Sequence, residues 1–108
     1  YDLIAFCVMP NHVQVVLTPL LAGDKGYWSL ARIQHSLKGY TATYANKRVG
    51  RNGAFWQHES YDHFVRDADE LERILNYVVQ NPVRAGLVEE WESWPWTYVS
   101  RSVGWREN

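Results

Sequence analysis

A chain of 108 residues with 46% hydrophobic content and a formal net charge of −1 has the size and apolar supply of one folded domain. That composition excludes a disordered chain, and the overall balance lacks the strong basic excess of many nucleic-acid binders. No run approaches the ~20 apolar residues that span a bilayer, the first residues lack the basic-then-apolar pattern of a secretory signal, and a lone cysteine, Cys7, rules out an internal disulfide. A cytoplasmic protein without a membrane partner is therefore expected. The charge is unevenly spread. Residues 1–66 carry seven Lys/Arg against four acids, whereas residues 67–108 carry four against eight. A basic half can track phosphates while the acidic half faces elsewhere.

Residues 2–8 form a short apolar run that reads as a buried strand, with Cys7 acting as a small core hydrophobe. Pro10 and Asn11 are turn residues, and residues 12–18 return as the second strand of a hairpin. Side chains alternate along a strand, so His12 and Gln14 share one face while Val13 and Val15 share the other. Two lone-pair donors on one face, two residues apart, can grip one metal ion. Residues 22–26 are a loop by composition.

From Ser29 to Arg48 the pattern becomes helical, with Leu30, Ile33, Leu37, Tyr40, Tyr44 and Ala45 at three- and four-residue steps. Ser29 suits the N-cap. Gly39 costs roughly 1 kcal/mol relative to alanine in a helix interior, which points to a close approach or a kink. Tyr40 and Tyr44, one turn apart, suit either core packing or stacking against bases.

Residues 50–53 are a turn, and 54–57 and 61–66 read as short strands. Asp67 or Asp69 opens a second helix whose first turn is acidic, as the helix dipole prefers. It runs to Val79 or Gln80, where Asn81-Pro82 is expected to stop it, because the residue before proline avoids the helical region. Tyr77 and Asn81, four apart, share a helix face. The tryptophan-rich tail, residues 89–98, is expected to fold back on the body through Trp91, Trp94 and Trp96. This order implies an α+β fold: one antiparallel sheet with helices packed on it, spanning 1–108 as a single domain. A ferredoxin-like sheet needs one more strand and helix before Tyr1. The chain starts within a strand pattern and without methionine, so N-terminal truncation is expected.

Five blocks of the chain then matter together: Met9-Pro10-Asn11-His12-Val13-Gln14; Ser36-Leu37-Lys38-Gly39-Tyr40; Phe55-Trp56-Gln57 with Tyr61-Asp62-His63; Tyr77 through Val88; and Trp94-Pro95-Trp96-Thr97. In this order they resemble the REP-associated tyrosine transposases, single-tyrosine HUH enzymes of the insertion-sequence type. The block Tyr-x-x-x-Asn-Pro-Val-Arg-Ala-Gly is the most specific. The resemblance implies a ferredoxin-like domain that cuts and rejoins single-stranded DNA at a structured hairpin through a 5′-phosphotyrosine intermediate. It makes Tyr77 the nucleophile, and His12, Gln14 and Asn81 the ligands of Mg²⁺ or Mn²⁺. It also implies that the chain lacks the family's first strand and helix, and it favours a monomer over a homodimer.

The chain departs from the family's histidine–hydrophobic–histidine pattern at Gln14, whose carbonyl oxygen is a hard, neutral ligand suited to either ion. Lys38, Arg48, Arg51 and Arg66 are the candidate phosphate contacts, while His58 and His63 read as structural. Two other readings stay open: a DNA-hairpin-binding module that Gln14 has deprived of catalysis, and an RNA-binding ferredoxin-like module.

Overall fold

The computed structural model describes residues 1–21, 23, 26–50, 56 and 62–105. They fall into two compact units, one of Asp2–Thr18 with Phe64–Asn108 and one of Tyr1 with Pro19–His63. The architecture is α+β. In chain order it comprises β1 (Asp2–Val8), β2 (Val13–Thr18), α1 (Leu30–Val49), α2 (Ala68–Arg84) and β3 (Thr97–Val99), with single 3-10 turns at Trp91–Ser93 and Arg101–Val103.

In the first unit the strands form an antiparallel sheet in the order β2-β1-β3. The hairpin forms where the sequence places it, its turn closed by the Met9 N–H donating to the His12 carbonyl at 2.8 Å. The tail does fold back. Val8 donates to the Trp96 carbonyl at 2.9 Å, Ser100 donates to Ile4 at 2.7 Å, and the Trp94 indole N–H donates to the Val8 carbonyl at 2.9 Å. Trp94 also packs against the core, and Trp91 meets Trp105 edge-on at 5.5 Å, whereas Trp96 is exposed.

The core joins Ala5, Cys7 and Val16 of the sheet and Met9 to Leu75 and Val78 of α2. Directly opposed residues share a sheet face. Cys7 opposes Gln14, and Ala5 opposes Val16. Gln14 therefore lies on the face that carries the core, and Val15 is exposed on the reverse face, where Phe6 stacks on Tyr98. A polar residue on the covered face is what brings the hairpin's chemistry within reach of a helix.

Helix α2 starts at the expected place. Asp67 is its N-cap and accepts from the Glu70 N–H at 2.8 Å. Leu71, Ile74, Leu75, Val78, Val79 and Pro82 form its inward stripe. Its end corrects the sequence expectation, since the helix passes through Asn81-Pro82 to Arg84. Proline removes one backbone donor, and in the last turn that loss interrupts little. The stop comes from Gly86 in the left-handed region at φ 75, with Gly86 donating to Val83 and Leu87 to Pro82, both at 3.0 Å.

The expected strand at 61–66 is also corrected, because Asp62–Arg66 carry no ladder. The Arg66 N–H donates to the Glu70 carboxylate at 3.0 Å instead of to a neighbouring strand. The 54–57 strand lies outside the described residues except for Trp56, which sits in a bend.

In the second unit, α1 is capped by Ser29, which accepts from the Arg32 N–H, and ends at Gly50 in the left-handed region. Among its described residues only Ile33 is buried. A Cβ placed on Gly39 would meet nothing within 4 Å, so no close approach among the described residues explains this glycine. No helix among the described residues is long and apolar enough to cross a membrane.

Candidate metal centre and nucleophile

Three of the four residues singled out for chemistry meet at the rim of the first unit. His12 stands exposed at the hairpin turn, with Gln14 half-buried on β2 and Asn81 half-buried on α2. The Asn81 amide nitrogen donates to Gln14 Oε1 at 2.7 Å and lies 3.3 Å from His12 Nε2. On the other side of the imidazole, His12 Nδ1 lies 2.7 Å from Asn11 Oδ1. A carbonyl oxygen only accepts, so this contact suits the tautomer with its hydrogen on Nδ1, which leaves the Nε2 lone pair on the side of Asn81.

A half-rotation of the Asn81 terminal torsion would put its oxygen where the nitrogen now faces Gln14 and His12. With Asn81 so turned, one imidazole nitrogen and two amide oxygens would make up the donor set, and its chemistry fits a hard divalent cation. All three donors are neutral, so a cation held there keeps its full charge for an anionic ligand such as a phosphate. Among the described residues no group of three or more His, Cys, Asp and Glu side chains offers a rival centre.

Asn11 was not among the sequence candidates. The signal for it was an asparagine directly before the candidate ligand, in a turn whose geometry the sequence does not give. Orienting partners of ligating histidines typically contribute 10- to 100-fold to metal affinity. Asn11→Ala is thus expected to weaken Mn²⁺ binding by about 10-fold or more while leaving the thermal midpoint nearly unchanged. Titration calorimetry with Mn²⁺ checks this.

Tyr77 lies one helical turn before Asn81 and is 56% exposed, so it is not a core aromatic. The Arg84 guanidinium covers its ring at 4.0 Å from the centroid, and Arg84 Nη2 donates to the Tyr77 carbonyl at 2.6 Å. The ring is thereby held against a cation on the exposed side of α2.

No family model matches the chain, and no solved structure matches it. Over 95% of its length the chain is 27% identical to a Haemophilus influenzae protein provisionally named a REP-associated tyrosine transposase. Over 95% it is also 26% identical to a REP-associated tyrosine transposase of Escherichia coli. The chain resembles the REP-associated tyrosine transposases. It spans 61% and 57% of the lengths of these two relatives. The resemblance carried by the five sequence blocks is borne out along nearly the whole chain.

The candidate phosphate contacts fall in both units. Lys38 and Arg48 lie on α1, in the second unit, with the Arg48 guanidinium 5.8 Å from the Tyr44 ring. Arg66 is held by Glu70, its Nε and Nη2 at 3.1 and 2.8 Å from one carboxylate oxygen. Arg51 and His58 lie outside the described residues, and His63 is exposed.

Proposed function

We propose that the chain carries a metal-dependent, single-strand-specific DNA endonuclease and strand transferase of the transposase type, acting at a structured hairpin with Tyr77 as nucleophile. The observation that supports this most is the contact of His12 and Gln14 with the Asn81 amide, on the helix that exposes Tyr77 one turn before Asn81. The Tyr77 oxygen would attack the phosphorus as the bond to the 3′ oxygen breaks, leaving a 5′-phosphotyrosine and a free 3′ hydroxyl. The phenolic proton ends on that hydroxyl through solvent. Rejoining is the reverse, and a phenol is a good leaving group for it. A bound Mg²⁺ or Mn²⁺ supplies stabilisation of the charge that builds on the phosphate. His12, Gln14 and Asn81 would hold the ion, Asn11 would orient His12, and Arg84 would keep the Tyr77 ring in place. All of these groups belong to one chain, so a monomer suffices.

The test is a denaturing gel of the full-length protein with a labelled single-stranded hairpin, in Mg²⁺ or Mn²⁺ and in EDTA. A shifted band that requires the ion supports the reading. Gln14 motivates the second reading, a hairpin-binding module: binding without any band, with a band appearing on Gln14→His, would replace the first reading with that one.

A further inference from the structure

Helix α1 has features that the centre on α2 does not use. Its 20 residues include Arg32, Lys38, Lys47 and Arg48 and no carboxylate, within a chain whose net charge is −1. Tyr40 and Tyr44 are 73% and 57% exposed, with ring planes within 14° and centroids 6.4 Å apart. Arg48 continues the same face one turn further on. A shallow groove of about 340 Å³ is lined by Gly39, Tyr40, Thr43, Tyr44 and Lys47. Glycine is a poor helix former, and nothing within 4 Å of a Cβ at Gly39 requires it there.

We propose that this face of α1 is a contact for single-stranded DNA, with bases stacking on Tyr40 and Tyr44, Lys47 and Arg48 meeting phosphates, and Gly39 leaving room for the strand against the helix backbone. Parallel exposed rings offer π-faces that any base can use, and aligned cations without intervening acids track a phosphate backbone. A duplex keeps its base faces covered, so the rings select a single strand. The charge pattern selects a polyanion over a protein. The choice of DNA rests on the function proposed above, but the site does not require cleavage.

The experiment is fluorescence anisotropy of the full-length protein, in EDTA, with labelled oligothymidylate, oligouridylate and a duplex of equal length. Tyr40→Ala/Tyr44→Ala is expected to weaken oligothymidylate binding by at least ~10-fold, with Tyr40→Phe/Tyr44→Phe close to wild type. Gly39→Ala should raise the thermal midpoint and yet weaken binding, an opposition that a purely structural glycine would not produce. Binding by the double alanine variant within twofold of wild type, or by Gly39→Ala unchanged, overturns the proposal, as does tighter binding to oligouridylate or to duplex. If wild type binds oligothymidylate through these rings but forms no adduct, the cleavage reading fails and this one stands. If the adduct forms and the ring variants bind like wild type, this proposal fails and the cleavage reading stands.

Discussion

Replacing Tyr77 with phenylalanine abolishes the covalent protein–DNA adduct and leaves hairpin binding unchanged. The substitution removes one oxygen from a side chain that is 56% exposed. The contacts that hold the ring survive it, because Arg84 bonds to the Tyr77 backbone carbonyl and covers the ring rather than its hydroxyl. Neither fold nor DNA affinity has reason to change. What disappears is the attacking group, and loss of a nucleophile lowers turnover by roughly 10⁴-fold or more. Adduct formation on a denaturing gel, beside anisotropy with the same hairpin, separates the two effects. An adduct that persists in Tyr77→Phe would remove Tyr77 from the mechanism.

His12→Ala is expected to have the second-largest effect. His12 is exposed at the turn, and the bond that closes that turn uses its backbone carbonyl, so the fold should shift by no more than ~0.5 kcal/mol. The variant loses the nitrogen donor of the set, leaving only the two amide oxygens of Gln14 and Asn81. Uncharged oxygens alone hold a divalent ion weakly. Adduct formation in Mn²⁺ should fall about 100-fold or more, approaching that of wild type in EDTA. Asn11→Ala, which keeps the ligand and loses its orientation, should fall between the two. A His12→Ala protein that still forms adduct in Mn²⁺ at the wild-type rate would show that the ion, if needed, binds elsewhere.

The grouping of the candidate site residues was legible in the sequence because its parts are local. Strand alternation put His12 and Gln14 on one face, and helical spacing put Tyr77 and Asn81 on another. Ser29 and Asp67 marked the helix starts because caps are read from a few adjacent residues. What the sequence did not convey depends on distant partners. The proline at position 82 reads as a stop, but the αL glycine at 86 ends α2, which places Asn81 a full turn inside the helix. The strand β3 has only three residues and is tied to the sheet partly by the Trp94 indole, a bond no periodicity announces. Residues 62–66 have strand-like composition, but Glu70 holds the Arg66 N–H. Which face of the hairpin carries the core likewise depends on the strand register, which sets Cys7 opposite Gln14.

The most direct test of the central claim is to digest the metal-dependent adduct with trypsin and locate the attached nucleotide by mass spectrometry. The account predicts a nucleotide 5′-phosphate on the peptide containing Tyr77, joined through the phenolic oxygen. A nucleotide on any other residue, or hairpin cleavage that proceeds with no protein-linked nucleotide, would contradict it.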